Sequence, residues 1–372
     1  MLPPYRSPTV DSRERLLAPR ESRESRTSGS RGVSRITWDR ESEHSLDGSA
    51  ARHSNFTDER NLSSSRRTGP GATGVPWRVI SAVITANMLG IGVLSLPFAA
   101  SVLGWIPFGV CLVLAAVGAQ CSGQLFSLLY LDALARDCDW RVMADAGLDA
   151  YGTSGQRLVR GVAYFYMGGV VVIIHLTATT AVATVFRELG ECDVVWSAAV
   201  GCVALAALQV RQMRHIGALA LLGVVTIVVP CTLTLWSVVI EHPEPAPTEW
   251  FGTNATLLQK GVAAFDVVFA YAGQVIFIEL QSDMHTPADF PAAVGSSLGA
   301  MTACYAAVAC TAYYYLGTAG LADGRPITSH LRGPLLSVVN ALLSIHVIVA
   351  YVIEGNIVAR GLFHMMGIEV RL

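Results

Sequence analysis

Beyond residue 74 the chain is written in long apolar blocks, with the polar residues gathered into the gaps between them. Eight blocks are long and apolar enough to cross a bilayer as a helix, which takes about 20 residues. They lie near 79–100, 105–131, 158–186, 194–210, 216–240, 261–280, 292–316 and 335–358. The fourth, at about 17 residues, is at the short end of the spanning range. The pattern predicts an all-α polytopic membrane protein.

Two blocks are interrupted. In the first, Asn87-Met-Leu-Gly-Ile-Gly-Val-Leu-Ser-Leu-Pro97 places Gly90, Gly92 and Pro97 in the middle of the apolar run. Glycine weakens a helix, and proline cannot donate the backbone bond its turn requires. In hydrocarbon the freed backbone groups are costly unless protein or a water-filled cavity satisfies them. A break at that depth therefore points to a binding site, as in the discontinuous helices of secondary transporters. In the sixth block, Phe265-Asp-Val-Val-Phe-Ala-Tyr-Ala-Gly-Gln274 puts Gly273 at the midpoint, between Ala272 and Gln274. Interruptions five helices apart are what a five-plus-five inverted repeat produces.

Composition separates a tail from the membrane domain. Residues 1–74 hold 13 of the 25 arginines and ten acidic residues among many serines, a composition expected to be disordered. Serine- and arginine-rich stretches such as Ser22 to Arg26 are candidate kinase sites or lipid-headgroup contacts. Acids interleaved with the arginines argue against a nucleic-acid partner. Residues 75–372 then form the transmembrane domain. With the tail in the cytoplasm, the inside loops carry eight arginines (136, 141, 157, 160, 211, 214, 360 and 371). The outside loops carry four basic residues (Arg187, Lys260, Arg325 and Arg332). The positive-inside rule thus favours a cytoplasmic N-terminus. The 241–260 loop falls on the opposite side, where Asn254-Ala-Thr256 is a candidate glycosylation sequon.

Ionisable residues inside a span are functional candidates by default. Asp266 lies about one and a half turns into the sixth block, either as a proton or cation partner or as a hydrated vestibule residue. His175, near the middle of the third, can relay protons or simply bond to a neighbouring helix. Glu279 and Glu354 stand near cytoplasmic helix ends and are expected to reach water; Asn340 and Asn356 are weaker candidates. Six of the eight cysteines sit in apolar blocks as small fillers, and no Cys/His spacing forms a metal site. No phosphate loop, His-Glu-x-x-His or nucleophile elbow is present, so neither an enzyme nor a cofactor is indicated.

These residues resemble a known family. Asn87 to Ala99, followed by Leu103-Gly-Trp105, is similar to the first-helix signature of the amino acid/auxin permease family. Phe269-Ala-Tyr-Ala-Gly-Gln274, then Glu279, Met284-His-Thr-Pro287 and Phe290, is similar to its sixth helix and following loop. Tyr305 and Tyr313 to Gly317 resemble its seventh.

The resemblance implies a leucine-transporter-type inverted-repeat fold with broken helices 1 and 6. It implies a neutral amino acid as substrate, moved by a proton or sodium gradient across a plasma or vacuolar/lysosomal membrane. On this basis the expected substrate residues are Asn87, Met88, Leu89, Gly90, Gly92, Phe269, Tyr271, Gly273 and Gln274. The ion-coupling candidates are Asn87, Asp266 and His175. Asn87 corresponds to an asparagine associated with sodium in some members, and Gln274 stands where many members have histidine. The family fold needs ten helices; eight blocks lack the last two, so a C-terminal truncation is expected. An amino-acid-sensing membrane protein and a non-transporting truncated form are the alternatives.

Overall fold

The computed structural model describes residues 74–190, 192–209 and 216–365; the tail and its sequons at Asn55 and Asn61 lie outside them. Ten α-helices follow in order among the described residues: α1 Trp77–Met88, α2 Ile91–Leu103, α3 Trp105–Ala135, α4 Met143–Val185 and α5 Asp193–Ala207. Then come α6 Ile216–Glu241, α7 Leu257–Ala270, α8 Phe277–Ser282, α9 Phe290–Gly320 and α10 Gly333–Met365. The all-α polytopic expectation holds. Among the described residues the β pairing is a lone bridge between Val75 and Met284.

The eight blocks do not become eight equal spans. Among the described residues six helical stretches are long and apolar enough to cross by themselves, while α1 and α2 make one span bent by 56°. The fourth block is α5, with only 15 residues. At 1.5 Å per residue it is about 22 Å long, short of a hydrocarbon core about 30 Å thick. The third block also starts earlier than its hydropathy indicates. Its helix begins at Met143 and turns sharply at Tyr151 and Gly152, where Gly152 has φ 64°. A short polar segment precedes the true span there, and glycine supplies the left-handed residue at no steric cost.

Layering follows from what each helix face meets. Only 22% of the most apolar window of α3 is buried, against 50% in α10. The exposed side of α3 is Val110, Val113, Leu114, Val117, Leu125 and Leu128, a face suited to lipid tails. Lipid is as apolar as leucine, so the helices associate through close packing and polar contacts instead. The inner group pairs α2 with α7 and α9, and α1 with α6 and α9; α10 packs on α4 and α6. Small residues make these approaches possible. Ala99, Ala100, Ala263, Ala270, Ala293, Ala309 and Ala312 are all buried in the shared core.

Backbone contacts between distant segments close both ends of the broken pair. At one end Val75 donates to the Asp283 carbonyl at 3.0 Å, and His285 donates back to Val75 at 3.1 Å. At the other the 241–256 loop straps the helix corners. Trp105 and Ile106 donate to Glu249 and Trp250, Gly252 donates to Leu103, and Thr318 donates to Pro247.

Candidate functional site

The first break is two residues long. Helix α1 stops at Met88, Leu89 and Gly90 leave the helical region, and α2 resumes at Ile91 with no side chain capping its first turn. Pro97 does not make the break. It sits inside α2, where Ser95 Oγ turns back to the Gly92 carbonyl at 3.1 Å. The sixth span opens more widely: α7 ends at Ala270, Gly273 is non-helical, and a 3₁₀ turn over Gln274–Ile276 leads into α8.

A helix end leaves up to four carbonyls or amides without intrahelical partners, which must be satisfied at membrane depth. Two tyrosines and a glutamine do this. Tyr305 Oη lies 2.8 Å from the carbonyl of Met88 and 2.8 Å from that of Ala270, so one hydroxyl ties the two breaks together. Tyr166 Oη donates to the Ala272 carbonyl at 2.7 Å. Gln274 accepts from the Gly273 amide at 3.1 Å and donates to the Tyr271 carbonyl at 2.8 Å. The Tyr271 hydroxyl reaches Thr302 Oγ at 2.8 Å.

Glycines let the two breaks meet. A Cβ on Gly92 would lie 2.9 Å from the Ala270 Cα, backbone against backbone. A Cβ on Gly273 would lie 2.6 Å from the Met88 Cγ, a side chain that can yield. Between the breaks and the α4 and α10 helices is a cavity of about 60 Å³. Its polar wall is Asn87, Tyr166, His346 and Glu354; its apolar wall includes Met88, Val170, Ile173, Phe269 and Val347.

The expected substrate residues divide accordingly. Asn87, Met88, Gly90, Gly92 and Phe269 line the cavity, whereas Leu89, Tyr271, Gly273 and Gln274 stand behind its wall and shape the breaks. Of the ion-coupling candidates only Asn87 is at the cavity. His175 bonds to Ser197 Oγ at 2.8 Å and meets Tyr351 edge-on, fastening α4 to its neighbours. Asp266 is half-buried on α7, away from the cavity. Asn340 bonds within its own helix to the Leu336 carbonyl at 2.8 Å, and the Asn356 side chain lies outside the described residues.

Glu354 corrects the expectation that it reaches water. It is 7% exposed and accepts from Asn87 Nδ2 at 2.9 Å. Two turns earlier on α10, His346 is 1% exposed and its Nδ1 donates to the Gly223 carbonyl at 2.8 Å. Both lie in the eighth apolar block, so the default that marked Asp266 and His175 applied equally to His346. Glu354 was hidden by its place near a block end, since linear depth does not report which way a side chain packs. The Asn254 side chain is exposed in the strap loop and donates to Glu249 Oε1 at 2.6 Å.

Paired helix breaks around a small polar cavity are the architecture of an inverted-repeat transporter's substrate site. Residues 73–368 match the family described as transmembrane amino acid transporter protein. The chain belongs to that family. It is an integral multi-pass membrane protein of a family that carries amino acids across membranes and is made of transporters rather than enzymes. Among curated proteins no match to the chain is found. The family match spans both breaks, the strap loop and α10, so every wall of the transporter's cavity falls within it.

Proposed function

We propose that the protein is a secondary active transporter of a small neutral amino acid, driven by a proton or sodium gradient, which binds its substrate between the two helix breaks. One observation carries this reading. The unwound segments of spans 1 and 6 meet at one wall of a cavity, held by the shared Tyr305 hydroxyl. Breaks that meet at a common wall can hold a polar substrate at a depth where lipid cannot.

The chemistry of the walls supports a neutral zwitterion. The first turn of α2 has free amides and no side-chain cap, and its dipole favours a carboxylate. Val170, Ile173, Phe269 and Val347 offer an apolar seat to a side chain. Among the described residues, no lysine or arginine lines the cavity. Size matters too: a cavity of about 150 Å³ admits benzene, whereas this one is about 60 Å³. It accommodates the polar head of an amino acid, and a large side chain requires the α4–α10 wall to move. Rocking of one helix group against another supplies that movement in this architecture. The proposed orientation places the N-terminal tail in the cytoplasm and the 241–256 strap on the other side.

Uptake of radiolabelled amino acids by proteoliposomes, with proton and sodium gradients imposed separately, tests the proposal. Accumulation of alanine or serine against a gradient is expected under one of the two ions. Binding without flux under either ion overturns it in favour of a sensor. Cysteine labelling of the tail and the strap loop from the same side overturns the orientation.

A further inference from the structure

Backbone carbonyls at the breaks are the obvious acceptors for a substrate's ammonium group, yet in this chain four of them are already engaged. Met88 and Ala270 face Tyr305, Ala272 receives Tyr166, and Tyr271 receives Gln274. Unused hydrogen-bonding capacity is found on side chains beside them. Among the described residues, Asn87 Oδ1 and His346 Nε2 are buried polar atoms with no partner. Buried polar groups left unpaired are costly, and such orphans lining a cavity call for a partner from outside the chain.

Both atoms are acceptors. Since His346 Nδ1 holds its proton toward the Gly223 carbonyl, the neutral ring presents Nε2 as a lone pair. That nitrogen faces the first break, 3.3 Å from where a Cβ on Gly90 would stand. The Asn87 amide is oriented by its nitrogen donating to Glu354 Oε1; turning it over would set oxygen against oxygen. Its Oδ1 is thereby fixed as an acceptor, and Glu354 adds a carboxyl group at the same wall. All three line one cavity. Two lone pairs and a carboxyl group, with no side-chain amine among them, call for a compact cation rich in N–H donors.

The geometry points to Asn87, His346 and Glu354 as the seat of the substrate's α-ammonium group, with Glu354 as its charge partner and His346 and Asn87 as its neutral acceptors. This rests on the transport reading above and deepens it by assigning the amino end of the substrate. An ammonium has three N–H donors, matched by three acceptors from two helices. The carboxylate then lies toward the free amides of α2, and the side chain toward the apolar wall. A sodium ion would also be drawn to these oxygens, but the nitrogen lone pair of His346 is a poor ligand for so hard an ion.

The test uses the full chain in liposomes and binding of radiolabelled L-alanine, competed by N-methyl-L-alanine and by L-lactate, in which a hydroxyl replaces the ammonium. In the unmodified protein lactate is expected to compete at least about tenfold more weakly than alanine, the scale of one charged hydrogen bond, with N-methyl-alanine between them. In Glu354→Gln, alanine affinity is expected to fall by about tenfold or more while lactate affinity holds, so that the discrimination collapses. A Glu354→Gln protein that keeps the parent's alanine-to-lactate ratio overturns the assignment. So does one whose sodium dependence alone changes, since the seat would then hold the driving ion. If Glu354→Gln fails to fold, the unmodified protein decides: lactate competing as well as alanine refutes the seat. A parent protein that binds no neutral amino acid defeats the transport reading itself, and is recognised by the missing alanine signal before any variant is compared.

Discussion

The two broken spans solve one problem in different ways. The first interrupts a helix for only two residues, and its freed groups are met from outside the span, by Tyr305 on α9. The sixth opens over Tyr271–Gly273 and a following 3₁₀ turn, and Gln274 caps it from within. The glycines differ as well: Gly92 faces the backbone of Ala270, whereas Gly273 faces the flexible Met88 side chain. The first break is thus a rigid contact imposed by its neighbours, and the sixth is a bend held by its own Gln274 as well as by Tyr166 and Tyr305 from outside the span.

The largest effect should come from the rigid contact. Gly92→Leu forces a four-carbon side chain against the α7 backbone, and overpacking of this kind costs about 1–3 kcal/mol or more. Thermal unfolding in detergent should show a clear loss of stability, together with loss of substrate binding. Gly273→Ala should cost less than about 1 kcal/mol because Met88 can repack, as flexible methionines do. If the two variants are equally harmful, the contrast between the breaks is wrong.

Tyr305→Phe comes next. It removes the hydroxyl between the Met88 and Ala270 carbonyls and leaves buried acceptors unmet, at a cost of about 1–3 kcal/mol. Both breaks should loosen together, seen as faster amide exchange on each side of residues 89 and 271. Gln274→Ala should loosen only the sixth, at about 1–2 kcal/mol, and exchange around Gly90 should stay at the parent rate. Coupled loosening in Gln274→Ala would show that Gln274 does not act on the sixth break alone.

The smallest effect concerns the strap loop. Hydrogen bonds from the Thr253 amide and hydroxyl, then from Asn254 Nδ2, hold the Glu249 carboxyl below the ordinary glutamate range. A carboxyl lowered in the folded state contributes stability above its unfolded pKa of about 4.3, and this contribution is lost as pH falls through the lower folded value. Exchange at Thr253, corrected for the intrinsic rate, should therefore accelerate at acid pH. Glu249→Gln should abolish that dependence and leave the breaks untouched.

Helix positions were legible because hydrocarbon imposes one rule on every span: bond the backbone internally and show apolar side chains. Asn87 and Met88 were expected at the site only from the family resemblance, whereas the same rule made Gly90 and Gly273 readable as interruptions. It misplaced the break signal at Pro97, since a proline within a helix removes one bond while the turns around it continue. It also overrated the fourth block, because apolar composition does not reveal where a helix stops.

What the sequence determined by itself was the number of apolar blocks, the two interruptions and the family, all of which follow from local composition and order. Only the tertiary structure decided which polar side chains meet at the interruptions. Asn87 and Glu354 are 267 positions apart in sequence yet 2.9 Å apart in space, and Tyr305 reaches back 217 positions to Met88. Such pairs are set by how α1, α9 and α10 pack, and packing depends on the shape of every helix face at once. A linear pattern carries depth along each helix but not rotation about it. Rotation is what turns Glu354 and His346 inward to the cavity and leaves Asp266 and His175 outside it.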